Sequence, residues 1–331
     1  MLTRSRGIKT VRRDEQLAHI IKEKNHKPMA GAGTQGKTTT TGMMIWTMQQ
    51  LGIPVSYSVG TTLSFGPSGK FDAGSEYFIY ECDEFDRNFL HFQPYLSLIT
   101  SIDYDHPDTY ASEQDYLQSF KQFGEQSQRL IAWKSAHSEL FINHPDAWML
   151  DETLSIRLAG EHNRHNGTLV LKALEKLSID GDGLTALENF PGTDRRFEKL
   201  GNNLYSDYGH HPVEIAATLQ LAHELSDHIV LVYQPHQNIR QHEINDQYTD
   251  QFELAEKVYW LPTYLSREDP NLAILSPEEL TKNIMNTDSV RIADLNEELW
   301  SIIQQARDAD KLVLCMGAGS IDGWLRQRLN Q

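Results

Sequence analysis

Residues 31–38 read Gly31-Ala32-Gly33-Thr34-Gln35-Gly36-Lys37-Thr38, a G-x-x-x-x-G-K-[ST] run, and no other stretch restricts the fold as tightly. Glycines in this pattern let backbone N–H groups turn inward around phosphate oxygens, while Lys37 supplies a point charge and Thr38 offers a hydroxyl to Mg²⁺. The geometry needs a strand entering the turn and a helix leaving it, with the helix's positive dipole end facing the anion. A helical pattern follows over residues 38–51, but the preceding Pro28-Met29-Ala30 is a weak strand signal. Gly33, Thr34, Gln35, Gly36, Lys37, Thr38 and Thr39 are the expected cradle for a nucleotide.

The rest of the chain supplies a sheet for that turn. Runs rich in β-branched and aromatic residues at 77–80, 95–102, 229–233, 258–261 and 312–316 alternate with helical stretches at 113–128, 166–177, 212–225 and 296–309, the pattern of parallel βαβ units. The 331 residues are enough for two cores, and the Gly- and Pro-bearing stretch 178–192 is the expected boundary between them. The fold class is α/β: a P-loop central domain with a mostly parallel sheet, plus a smaller Rossmann-like carboxy-terminal domain. Ligands in such sheets bind beyond the carboxyl ends of the strands, which is where Glu81 and His106 fall. Mg²⁺ prefers oxygen, so Glu81 is the natural ligand beside Thr38. His106 suits a second metal position or a phosphate contact, or it merely closes a turn.

Charge and apolar pattern exclude other classes. Thirty Lys and Arg against 46 Asp and Glu leave a net charge of −16, a field that repels nucleic acid. No apolar run approaches the ~18 residues of a membrane span, and the basic start Met1 to Arg13 lacks the apolar stretch of a secretory signal, so a cytoplasmic protein is expected. Cys82 and Cys315 each follow or end an apolar run and are expected to be buried and reduced.

Further stretches occur in a fixed order: Glu81-Cys82-Asp83-Glu84-Phe85-Asp86, Asp105-His106-Pro107-Asp108-Thr109-Tyr110, Gly160-Glu161-His162-Asn163-Arg164-His165-Asn166, Arg195-Arg196-Phe197, Asp207-Tyr208-Gly209-His210-His211-Pro212, Gln234-Pro235-His236 with Arg240, and Met316-Gly317-Ala318-Gly319. With the P-loop, these make the chain resemble the Mur ligase family. The resemblance implies an enzyme that phosphorylates a substrate carboxylate with ATP and Mg²⁺ and lets an amino acid attack the acyl phosphate. L-Alanine joined to UDP-N-acetylmuramate, in peptidoglycan precursor synthesis, is the implied reaction. It places His106 at a second metal position, Asn163 and Asn166 near adenine, Arg196 toward phosphate and Asp207 toward ribose hydroxyls. It also places Tyr208, His210, His236 and Arg240 near the incoming amino acid, with Lys37, His210 and Arg240 as the catalytic set. His210 and bulk water remain alternatives for the base that takes the amine proton. A zinc reading of His162 and His165 lacks a third ligand nearby.

The chain also departs from the family pattern. About thirty residues precede the P-loop, so the family's amino-terminal UDP-binding domain is expected to be absent or supplied by a separate chain. Residues 1–19 are then a remnant or linker, 20–190 the ATP-binding domain and 191–331 the carboxy-terminal domain. From Trp133 the chain is expected to run almost directly to Leu158. Gln35 and Gln237 stand where relatives usually carry His and Arg. The nucleotide is expected to bind across the two domains, with one closing on the other. Two alternatives are a nucleotide-binding partner or regulator that has lost ligation, and a ligase with a different acceptor.

Overall fold

The computed structural model describes residues 10–106, 109–266, 268–285 and 287–330. Residues 1–9 of the expected remnant or linker, with Pro107 and Asp108, lie outside the described residues. The chain forms two compact units, one running to Leu158 and including Asn163–Pro191, the other made of Ala159–His162 and the chain from Gly192 onward.

The first unit is built on β1 (Lys27–Ala32), β2 (Val55–Ser58), β3 (Gly69–Lys70), β4 (Tyr77–Cys82), β5 (Leu96–Ile99), β6 (Leu130–Trp133) and β7 (Ala147–Leu150). Their order is β3-β2-β4-β1-β5-β6-β7, parallel throughout except for the short antiparallel β2–β3 pair. β1, the weak signal, is the central strand. Its partners β4 and β5 satisfy its backbone on both sides, and Pro28 sits at its start, where a missing N–H is tolerated. The run expected over 95–102 ends its pairing at Ile99, because Thr100 and Ser101 leave the sheet to bond the P-loop. The expectation of a direct passage from Trp133 to Leu158 is corrected: β7 intervenes and pairs parallel to β6. Its four residues are all half-buried and show no alternation, so periodicity cannot reveal them.

The second unit is built on β8 (Glu198–Gly201), β9 (Leu204–Asp207), β10 (Ile229–Tyr233), β11 (Lys257–Trp260), β12 (Val290–Ile292) and β13 (Leu312–Met316), ordered β12-β11-β10-β13-β9-β8. Only the β8–β9 hairpin is antiparallel. Along β10 the side chains alternate between two cores: Leu231 and Tyr233 pack with Ile215 and Trp260, while Val230 and Val232 pack with Ile303, Val313 and Leu325. A sheet buried on both faces explains why β10 and β13 read as unbroken apolar runs. Cys82 and Cys315 are buried free thiols, as expected. No helix among the described residues is long and apolar enough to cross a membrane.

Candidate functional site

In the first unit, β1 delivers the chain into the loop at Gly33 and the helix Lys37–Gln50 leaves it. Gly33 and Gly36 have φ of +133° and +79°. A Cβ on Gly33 would lie 2.3 Å from Thr100 Oγ1 and 2.7 Å from the Ser101 carbonyl oxygen, so the glycine is a steric requirement. The strand-end residues of β5 brace the loop. Thr34 N donates to Ser101 O at 3.0 Å, Gln35 N to Ser101 Oγ at 3.0 Å, and Thr34 Oγ1 lies 2.7 Å from the Tyr116 hydroxyl.

Lys37 Nζ donates to Gly33 O at 2.7 Å and Thr34 O at 2.9 Å, and pairs with Glu84 Oε2 at 2.9 Å. Glu84 is 1% exposed, and burial raises its pKa to about 7 against the pull of Lys37. Burial works against the Lys37 ammonium too, but Glu84 and Asp83 outweigh it and hold the pKa up. Thr38 Oγ1 donates to Glu81 Oε1 at 2.8 Å, and the other Glu81 oxygen accepts from Gly60 N at 2.7 Å. Thr39 is half-buried in the same first helical turn.

The expected metal trio thus divides. Thr38 and Glu81 touch, whereas His106 Nε2 faces Glu84 Oε1 at 3.7 Å and Asp105 Oδ2 at 3.7 Å. Asp83, Glu84 and His106 can each bring one donor atom within 4.8 Å of the others. Glu84 is the residue that sequence reasoning passed over. Its place in Glu81-Cys82-Asp83-Glu84 is visible, but its burial against Lys37 depends on the folded loop.

Asn163 and Asn166 lie three residues apart on the helix Glu161–Lys176 and share a face. Asn166 is buried with Oδ1 beside Gly36, where a Cβ on that glycine would come within 2.7 Å. Asn166 therefore packs on the loop itself, and Asn163 is half-buried one turn earlier. His165 stacks on Trp133, ring centroids 4.6 Å apart, and neither His162 nor His165 joins a metal-binding cluster among the described residues.

In the second unit, β9, β10 and β13 end at Asp207, Tyr233 and Met316; Tyr208, His210, His236 and Arg240 follow the ends of β9 and β10, and Arg196 precedes β8. Asp207 is buried, accepting from Phe197 N at 2.7 Å and Gly209 N at 2.6 Å. The Tyr208 ring lies 4.6 Å from the Arg195 guanidinium and 5.4 Å from that of Arg196. Arg196 reaches Glu214 at 3.6 Å. Burial would raise the Glu214 pKa, but Arg196 and the N–H groups of His210 and His211 that donate to its carboxylate bring it below the ordinary range.

Arg240 Nη1 bonds His210 Nε2. A guanidinium only donates, so Nε2 accepts and the neutral ring carries its proton on Nδ1, 3.2 Å from the Tyr208 carbonyl. Burial lowers the His210 pKa, consistent with that neutral form. Both ring nitrogens are thereby engaged, and His210 aims Arg240. The His236 ring stands 5.3 Å from that of His210 and lies nearly parallel to Tyr264 at 5.7 Å. Burial, with His210 and Arg240 adding to it, pushes the His236 pKa down to about 4, and its buried Nδ1 has no hydrogen-bond partner among the described residues.

Asp207 makes stability depend on pH. Burial lifts its pKa from the ordinary 3.8 to about 6, so its contribution is complete below pH 3.8 and is lost as pH rises through 6. Urea unfolding is expected to show the native chain losing about 2 kcal/mol relative to Asp207→Asn between pH 4 and 7. Parallel pH profiles for the two proteins would contradict this.

Comparison with known proteins agrees with the geometry. Residues 32–148 match the model of the Mur ligase middle domain and residues 195–319 that of the Mur ligase glutamate ligase domain. The chain is 27% identical over 363 residues to a UDP-N-acetylmuramate–L-alanine ligase of Renibacterium salmoninarum, covering 96% of this chain and 77% of that protein. Among solved structures it is similar to the UDP-N-acetylmuramate-alanine ligase MurC of Thermotoga maritima, with TM-score 0.80, 22% identity, and coverage of 99% of this chain and 80% of that one. It is also similar in fold to a folylpolyglutamate synthase of Mycobacterium tuberculosis complexed with ADP, with TM-score 0.70, 15% identity, and coverage of 96% and 93%.

Proposed function

The chain belongs to the Mur ligase family of ATP-dependent, C–N bond-forming ligases, and we propose that it joins L-alanine to the carboxylate of UDP-N-acetylmuramate in cytoplasmic peptidoglycan precursor synthesis. The observation that carries this reading is the P-loop whose Lys37 and Glu81-bonded Thr38 stand where a triphosphate needs positive charge and a metal. Residues 20–190 would hold ATP, and residues 191–331 would bind the amino acid and complete the nucleotide contacts.

The oxygen donors of Thr38 and Glu81 suit Mg²⁺, and His106 with buried Glu84 suits a second position. Bound there, the ion neutralises charge on the phosphates. The chain's own residues do the remainder. Lys37 screens the γ-phosphoryl group so that an anionic carboxylate oxygen can approach phosphorus, and ADP leaves as the acyl phosphate forms. Gly33, Thr34, Gln35, Gly36 and Thr39 wrap the phosphates, Asn166 backs the loop at Gly36, and Asn163 serves the adenine end. Arg196 contacts phosphate, and Asp207 accepts from ribose hydroxyls.

Arg240, aimed by His210, holds the α-carboxylate of the amino acid. His236, kept neutral by its low pKa, stands beside the amine, and Tyr208 bounds the side chain. The amine nitrogen attacks the acyl carbon, phosphate departs, and the amine proton goes to solvent because His210 has no free nitrogen.

Phosphate release by the purified chain with MgATP tests the reading. Release that needs UDP-N-acetylmuramate and L-alanine together is expected. Tight MgATP binding with no turnover for any acid or amine would instead favour a regulatory protein.

A further inference from the structure

Arg196 stands between two residues in the left-handed region, Arg195 with φ of 57° and Phe197 with φ of 49°. Non-glycine residues adopt this conformation at a cost, so neighbouring groups must hold it. Glu198 Oε2 accepts from Arg195 N at 2.8 Å, Asp207 Oδ2 accepts from Phe197 N at 2.7 Å, and Tyr208 N donates to Arg195 O at 2.8 Å.

Two of the groups behind this turn come from the last helix, Ile321–Leu329. Arg326 grips both Glu198 oxygens, at 3.2 and 2.5 Å, and its Nε donates to Asp322 Oδ2 at 3.0 Å. Asp322 also accepts from Ser206 Oγ at 2.8 Å and lies 3.6 Å from Arg195 Nε. Arg195 in turn donates to Gly317 O at 3.0 Å. The chain of contacts therefore runs from the end of β13 and the last helix to the backbone on either side of Arg196.

We propose that Arg326 and Asp322 are positioning residues that set the Arg195–Phe197 turn, and through it the reach of Arg196 toward a nucleotide phosphate. This rests on the reading of Arg196 as a nucleotide contact. A role in folding alone does not require a bidentate grip on the one carboxylate that also caps the Arg195 N–H. A half-exposed ion pair adds little to overall stability, so its removal is expected to act on geometry first.

Calorimetry with the full chain and the magnesium complex of the ATP analogue AMPPCP tests this. Arg326→Met is expected to weaken binding roughly tenfold, and Arg326→Lys to recover part of the loss. In turnover, Arg326→Met is expected to raise the KM for ATP and leave that for L-alanine unchanged. Unchanged AMPPCP affinity in Arg326→Met, or equal losses in the Met and Lys variants that follow a fall in melting temperature, would overturn the proposal. Arg196→Ala separates the two readings. If it binds AMPPCP as tightly as the native chain, the nucleotide role of the turn fails. If it binds weakly while Arg326→Met does not, only the positioning role fails.

Discussion

Lys37→Met is expected to lower kcat for phosphate release by about a thousandfold or more, because it removes the fixed cation nearest the transferring phosphoryl group. Methionine keeps most of the apolar stem, so the loop's glycines and its braces from Thr34, Ser101 and Tyr116 persist. The substitution also strands Glu84, buried with Lys37 as its close cation. With a pKa already near 7, that carboxylate is expected to take up a proton rather than unfold the domain. Circular dichroism should therefore report an intact fold, and the thermal midpoint should fall less at pH 6 than at pH 8. Retained turnover would count against the phosphate cradle.

Arg240→Ala is expected to raise the amino-acid KM roughly a hundredfold, about 3 kcal/mol, while the KM for ATP stays within about a factor of two. The loss combines two effects: the cation for the α-carboxylate disappears, and His210 Nε2 loses its donor. Arg240→Lys should recover little, since an ammonium cannot address His210 and a carboxylate with one planar fork. Steady-state kinetics with each substrate varied in turn separates the cases. An effect confined to ATP would contradict the assignment.

The P-loop is legible in the sequence because each of its positions answers a local demand, such as the positive φ at Gly33 and Gly36. β10 and β13 are legible for a different reason: a strand buried on both faces must be continuously apolar. β1 is not, since Pro28, Ala30 and Gly31 have little strand preference of their own and take that conformation from pairing with β4 and β5. β7 hides because a four-residue edge strand carries too few positions to show a period. At the site, residue types and order suggested Glu81 beside Thr38. The engagement of both His210 nitrogens, the bare Nδ1 of His236 and the burial of Glu84 arise only when distant segments pack. Such tertiary facts leave no mark in spacing.

The central claim is that ATP passes its terminal phosphoryl group to an organic carboxylate before an amine displaces it. UDP-N-acetylmuramate labelled with ¹⁸O in its carboxylate, turned over with MgATP and L-alanine, tests this most directly. One labelled oxygen is expected in each inorganic phosphate released, since the carboxylate oxygen that bonds phosphorus leaves with it when the acyl C–O bond breaks. Phosphate released with solvent oxygen only, at a rate indifferent to the acid, would contradict it.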